Sequence, residues 1–404
     1  MTNVRSPIQG SAAERIAALT PDNPYLSRQR KPRLLIVGAG MMGREHLRVC
    51  QLLGWADLQG IVDPFEGSLK WARSDWQSLT AAPLTVYTHL NEACGDGAVD
   101  AVVISTPNHT HLEVLRTVSQ SGKPILLEKP MATTLEDAMD MVNLARDYPS
   151  VIQLGMQYRF KAQYVDALCE LQSQATLGAV KTVAMSEYRP PFLDKVDQWN
   201  KFNCNSGGTL VEKCCHYFDL INLVAQSRPK RVYASGGRAV NFLDFEWQGK
   251  MSDIDDHAMV IIDYDNGVRA SFTLNMFCQE LYEELVVVGE RGRLVASEQA
   301  SFQPDAPSKA ELLVEVPQHP AYRGVPVGYP DWIEASGHYG ATYFEHIAFN
   351  LQLAGQAVDA ATPEQALWSL IVASAAQHSM QMGREVDVGV FCEANGIGDF
   401  YEGR

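Results

Sequence analysis

Arg33-Leu34-Leu35-Ile36-Val37-Gly38-Ala39-Gly40-Met41-Met42-Gly43 is the stretch on which the reading of the fold turns. A short apolar run ended by glycine predicts a buried parallel strand. The apolar-periodic segment over 42–53 predicts a helix, so the glycines fall in a strand-to-helix turn. That is the context in which G-x-G-x-x-G cradles a dinucleotide. Gly38 permits the tight turn, Gly40 lets the backbone approach a pyrophosphate, and Gly43 lets helix and strand pack closely. The helix N-terminus supplies amide donors and the positive end of its dipole. Asp63 ends the next predicted strand, twenty residues beyond Gly43. It is placed to accept from an adenosine ribose, and it can also cap the helix after it. Its carboxylate would repel a 2′-phosphate, and Pro64, Phe65 and Glu66 bring no cation to hold one. NAD is therefore expected over NADP.

Outward from this turn, strands are predicted over 58–62, 85–87, 101–104, 125–127 and 151–154, with helices over 111–120 and 135–146. Strands alternating with helices of this length specify βαβ units and a doubly wound parallel sheet. Beyond about residue 160 the texture changes. A helix over 162–171 precedes a strand over 179–188 and a helix over 209–225. Strands over 231–235, 258–264, 268–275 and 281–288 then follow in series, with an Asn266-Gly267 hairpin signal between two of them. Helices over 342–353 and 363–380 come last. The fold class expected is α/β: an N-terminal Rossmann sheet over 31–155, then an α+β domain over 156–404 with an open, largely antiparallel sheet. Residues 1–30, rich in proline and polar residues, read as an arm, with packing on a neighbouring subunit as one option.

The 404 residues carry 33 Lys+Arg against 48 Asp+Glu, a net charge of −15. So acidic a chain is a poor binder of nucleic acid or anionic membrane, because phosphate contacts need clustered cations. No run approaches the roughly 18 apolar residues of a membrane span, and residues 1–30 lack the apolar run of a secretory signal. The eight cysteines form no C-x-x-C pair, and Cys214-Cys215-His216 would face different sides of a helix, so no metal site is expected. Free thiols suit a reducing cytoplasm.

Three further segments carry a family resemblance. Ser105-Thr106-Pro107-Asn108-His109-Thr110-His111 follows the fourth strand. Gly122-Lys123-Pro124-Ile125-Leu126-Leu127-Glu128-Lys129-Pro130 ends in E-K-P. The third is Ser206-Gly207-Gly208-Thr209-Leu210-Val211-Glu212-Lys213-Cys214-Cys215-His216-Tyr217-Phe218-Asp219. Together with the glycine fingerprint, in this order and spacing, they resemble the glucose–fructose oxidoreductase/inositol dehydrogenase family (Gfo/Idh/MocA) over about residues 31–390. The resemblance implies an NAD(P)-dependent enzyme oxidising a sugar, inositol or related polyol. It also implies a homodimer or homotetramer formed through the C-terminal sheet. The family's E-K-P lysine falls on Lys129 and its catalytic histidine on His216. Its acidic partner one turn earlier, usually Asp, is Glu212 here, longer by one methylene, and a family glycine two residues later is Cys214. Arg159 matches a basic position near substrate. The expected cofactor-binding set is Gly38, Gly40, Met41, Met42, Gly43, Asp63, Thr106, Pro107, Asn108, His111, Glu128 and Lys129. Arg159, Glu212, His216 and His338 form the expected substrate-binding set.

The residues themselves support that chemistry. On one continuous helix Glu212, His216 and Asp219 fall within an arc of about 60° on an otherwise apolar surface, as expected for a lined cleft. Lys213 breaks the apolar sector and either reaches solvent or pairs with a carboxylate. Alcohol oxidation needs a base, and imidazole titrates near neutrality. A lysine at a parallel strand's carboxyl end lies where such sheets bind ligands. Glu128 either holds a ribose hydroxyl or positions Lys129. Aromatic residues around Pro190-Pro191, including Phe192 and Trp199, either stack on a sugar ring or pack the fold. Two alternatives to a dehydrogenase stand beside it: glycoside cleavage through transient oxidation, and a catalytically silent dinucleotide-binding regulator.

Overall fold

Leu34, Leu35, Ile36 and Val37 are all buried, which is why this run shows no polar alternation: a parallel strand covered on both faces needs apolar neighbours throughout. The computed structural model describes residues 6–20, 23, 30–172, 174–301, 308–317 and 324–404, the side chains of 174 and 175 excepted. The described residues fall into two compact units. One is drawn from 1–132, 137–161 and 329–366, the other from 133–136, 162–328 and 367–404.

In the first unit, β1 (Arg33–Val37), β2 (Asp57–Val62), β3 (Val86–Tyr87), β4 (Ala101–Ile104), β5 (Ile125–Glu128) and β6 (Ile152–Gly155) make a parallel sheet. Their order is β3-β2-β1-β4-β5-β6. The chain runs outward from β1 and then crosses back to β4, so the switch point lies at the carboxyl ends of β1 and β4. Leu34, Ile36, Val103 and Leu126 of the sheet share a core with Leu47, Trp76 and Phe349. Each such burial contributes roughly 1.5–3 kcal/mol.

Phe349 lies on the helix Ala341–Leu353, which is buried at every position from Ala341 to Leu351. A helix buried all round, with Thr342, Glu345, His346 and Asn350 scattered among its apolar residues, has no single stripe to say which sheet it covers. The division expected at residue 156 therefore runs through the first unit, which takes back the segment 329–366. The described part of the expected arm includes the helix Ala12–Ala17, started by a Ser11–Glu14 capping box, with the Arg15 guanidinium 5.9 Å from the centre of the Phe160 ring. Residues 1–5, 21–22 and 24–29 of that arm lie outside the described residues.

In the second unit the strands are β7 (Val180–Tyr188), β8 (Pro229–Gly237), the small hairpin β9 (Glu246–Trp247) and β10 (Lys250–Met251), β11 (His257–Tyr264), β12 (Arg269–Asn275), β13 (Leu281–Gly289), β14 (Arg293–Ala300), β15 (Lys309–Glu315), β16 (Val325–Pro326) and β17 (Val386–Asp387). Apart from the hairpin they form one sheet, β16-β15-β14-β13-β7-β12-β11-β8-β17. Its described pairings are antiparallel except that of β7 with β12. The Asn-Gly turn joins β11 to β12, and Gly267 has a φ of 87°. Among the described residues all eight cysteines are free thiols, and no helix is long and apolar enough to cross a membrane.

Candidate active site

The phosphate loop follows its steric logic. Gly38 has a φ of 92°, and a Cβ there would meet the Ser105 carbonyl oxygen at 2.7 Å. A Cβ on Gly43 would lie 1.9 Å from the Gly38 carbonyl oxygen, so only glycine lets the helix Met41–Leu53 start this close to β1. Around Gly40, among the described residues, no atom lies within 4 Å of the Cβ position, which leaves the backbone bare. No side chain caps the helix at Gly40, so its first amides are available to an anion. Asp63 is oriented by the loop: one carboxylate oxygen accepts from the Ala39 amide at 2.7 Å and the other from the Phe65 amide at 2.7 Å. Each oxygen keeps lone-pair capacity for a ribose hydroxyl. The Phe65 contact turns the chain into the helix Glu66–Leu79 without Asp63 itself being the cap residue. A bare glycine cradle, an uncapped helix and an anchored carboxylate fit a dinucleotide.

Beyond β4, the Thr110 hydroxyl donates to Thr106 Oγ1 at 2.9 Å and lies 2.7 Å from the Pro107 carbonyl oxygen. Asn108 is buried at the start of the single turn Asn108–Thr110. The buried His111 ring lies 2.9 Å from the carbonyl oxygens of both Pro130 and Thr106. A neutral imidazole donates to one of these two carbonyls, and the ring is enclosed between them. His111, expected to contact the cofactor, lies between the segment after β4 and Pro130. Glu128 is buried at the end of β5, with Oε1 2.9 Å from His46 Nε2, while Oε2 accepts from the Lys129 amide at 3.1 Å. The second of these contacts joins it to the backbone of Lys129. Lys129 follows directly, half-buried, and its bond to Pro130 is cis.

Arg159 and His338 also have partners within the first unit. Arg159 is buried and donates from Nη1 to Gln365 Oε1 at 2.9 Å. His338 Nδ1 lies 2.7 Å from Glu45 Oε1, which also accepts from the Thr342 hydroxyl.

In the second unit Glu212, His216 and Asp219 are all buried. They do not share one helix. Glu212 ends the helix Thr209–Glu212, and His216 stands in the first turn of Cys215–Ala225. The single helix expected over 209–225 breaks at Lys213 and Cys214, where ψ at Cys214 is −4°. The break accompanies the turning-in of the half-buried Lys213, whose Nζ lies 3.2 Å from Glu187 Oε1 on β7. The choice between solvent and a carboxylate is thereby decided for the carboxylate. Glu212 Oε1 accepts from Lys195 Nζ at 2.8 Å. Lys195, which the sequence did not single out, also lies 4.3 Å from the centre of the Trp199 ring. The Arg189 guanidinium stands 5.4 Å from the Phe192 ring centre. Each of these two rings is therefore engaged by a cation of its own loop.

A row of three buried glutamates runs across the sheet in this unit. Glu283 on β13 is directly opposite Glu187 on β7 and Glu298 on β14. Like charges so placed destabilise a sheet. Here Arg189 and Lys213 approach Glu187 at 3.5 and 3.2 Å. The Tyr164 and Tyr217 hydroxyls donate to Glu283 at 3.0 and 2.8 Å, and Gln163 donates to Glu298 at 2.8 Å. Burial pushes the neighbouring Cys214 thiol well above its ordinary value, and Glu187 adds to the effect, so Cys214 is an inert packing thiol.

Comparison with known proteins places these features. Residues 33–156 match the NAD-binding Rossmann-fold domain of the Gfo/Idh/MocA oxidoreductases, and residues 170–388 match the C-terminal alpha/beta domain of the same family. The chain is 26% identical over 197 residues to the rhizopine catabolism protein MocA of Rhizobium meliloti, covering 49% of this chain and 58% of that protein. It is 27% identical over 254 residues to an inositol 2-dehydrogenase of Corynebacterium glutamicum (strain R), covering 62% of this chain and 69% of that one. Its fold is similar to that of GenD2 from gentamicin A biosynthesis, solved in complex with NAD. That likeness has a TM-score of 0.70 at 21% identity, covering 89% of this chain and 97% of the other.

Proposed function

Because the chain belongs to the Gfo/Idh/MocA oxidoreductase family, we propose that it is a dehydrogenase oxidising a secondary hydroxyl of a sugar, an inositol or a sugar derivative, reversibly, with NAD preferred over NADP. The observation that carries this reading is the presence of both reactive side chains of the family pattern, Lys129 directly after β5 and a buried His216 preceded by Glu212. Relatives named for inositol 2-dehydrogenase activity support the substrate class. NAD, when bound, supplies the hydride acceptor. Gly38, Gly40 and the first amides of the helix Met41–Leu53 hold its pyrophosphate, and Asp63 its ribose. Lys129 donates to the substrate oxygen and stabilises charge developing on it. His216 takes the hydroxyl proton. Glu212, already paired with Lys195, holds substrate hydroxyls. Assembly as a homodimer or homotetramer through the C-terminal sheet is part of the same reading, supported by exposed Tyr233, Met259 and Ile261 on β8 and β11.

The direct test is NADH absorbance with purified protein across a panel of inositols and sugars. NAD affinity without turnover on any of them would turn the reading toward a regulator. On cofactor choice, NAD is expected to bind at least about tenfold more tightly than NADP, or about 1.4 kcal/mol. Asp63→Ala should narrow that gap in a binding titration, and equal affinities in the unchanged protein would overturn the assignment. For Glu212, steady-state kinetics should show Glu212→Gln raising KM more than it lowers kcat. Glu212→Asp should weaken substrate binding by about 1 kcal/mol. Unchanged kinetics in both variants would remove Glu212 from the site.

A further inference from the structure

His46, on the helix Met41–Leu53, Glu128, at the end of β5, and Glu345, on the helix Ala341–Leu353, come together inside the first unit. One ligand atom from each, an imidazole nitrogen and two carboxylate oxygens, lies within 4.8 Å of the others, and all three residues are buried. Glu345 is 0% exposed, and among the described residues neither of its carboxylate oxygens meets a hydrogen-bond donor. Nor does any lysine or arginine among them pair with Glu128 or Glu345; the ionisable partner of Glu128 is His46, at 2.9 Å.

Two carboxylates and an imidazole at this depth have no lysine or arginine paired with them among the described residues, and burying even one carboxylate charge is costly. Burial indeed pushes the Glu345 carboxyl well above the usual carboxylate range, with Glu128 and Glu45 adding to it. Protonation of Glu345 would lower that cost by removing its charge. A dication offers both carboxylates and the imidazole a partner at once. His46 is also braced as metal-bound imidazoles are, its far nitrogen Nδ1 lying 2.8 Å from His346 Nε2.

The geometry points to a divalent-cation site formed by His46, Glu128 and Glu345. One nitrogen with two carboxylates suits Mn2+ or Zn2+ better than Ca2+ or Mg2+, which favour all-oxygen shells. The ion would act as a structural clasp between two helices and β5. The proposal does not rest on the dehydrogenase reading, although Glu128 also accepts from the Lys129 amide, and it is tested without turnover.

The probe is Mn2+, because thiols bind it poorly and the eight cysteines would not compete. Tag-free protein, stripped with chelator and free of nucleotide, is titrated in high salt that screens the net charge of −15. Free ion is counted by electron paramagnetic resonance. One bound equivalent is expected, with a rise in melting temperature. Glu345→Gln, equal in volume but uncharged, should bind at least about tenfold more weakly; if it does not fold, Glu345→Asp replaces it. No bound equivalent in the unchanged protein overturns the site, leaving Glu345 as a buried neutral acid. So does undiminished Mn2+ affinity in the Glu345 variant.

Discussion

Replacing His216 with alanine is expected to lower turnover by about 10²–10⁴-fold, the usual contribution of a positioned acid–base group. NAD affinity should stay near that of the unchanged protein, because the residues proposed to hold the nucleotide belong to the other compact unit. His216 lies in the first turn of the helix Cys215–Ala225, whose Tyr217 and Phe218 rings pack 5.3 and 5.2 Å from that of Phe272 on β12. Those aromatic contacts do not involve the imidazole, so the helix should remain in place. Steady-state kinetics with a thermal melt on the same preparation makes the check. A fall in turnover at an unchanged melting temperature assigns the loss to chemistry. Undiminished turnover would return His216 to a packing role.

The second large effect concerns Lys129. Lys129→Met keeps most of the side-chain volume and removes the charge and its donors. Turnover should fall by about 10²–10³-fold, as when one donor to a developing oxyanion is removed, with KM little changed. The backbone frame around the residue should survive. Glu128 accepts from the Lys129 amide and His111 holds the Pro130 carbonyl, and neither contact uses the lysine side chain. Full turnover in Lys129→Met would overturn its proposed role. A fall in NAD affinity equal to the fall in turnover would reassign it to cofactor binding.

The parallel sheet was legible because each strand carries its own signal. Uninterrupted runs such as Ala101-Val102-Val103-Ile104 are what a strand buried on both faces requires. The helix Glu66–Leu79 was anticipated only as a helix following Asp63, without bounds; its buried side comes down to Ser68, Leu69, Ala72 and Trp76, a thin stripe among polar residues. β14 was missed for a related reason. Its inward positions are Leu294, Ala296, Glu298 and Ala300, and a buried glutamate spoils the alternation that marks a half-buried strand. At the candidate site Lys129 and His216 were singled out through the family motifs that contain them. Lys195 was not, because nothing local ties it to Glu212, seventeen residues further along the chain.

By itself the sequence determined what short-range sterics and periodicity can determine: the glycine turn, the alternation of strands and helices, and the Asn-Gly hairpin. In each of these the deciding contacts lie within a few residues, as when Gly43 would clash with the Gly38 carbonyl if it bore a Cβ. Only the tertiary structure decided that the helix Ala341–Leu353 packs in the first unit, that a Lys213–Glu187 pair accompanies a break before His216, and that His46, Glu128 and Glu345 converge. His46 meets Glu128 across 82 residues and His346 across 300. No periodicity spans such distances, because partners this far apart are chosen by which surfaces the fold buries together.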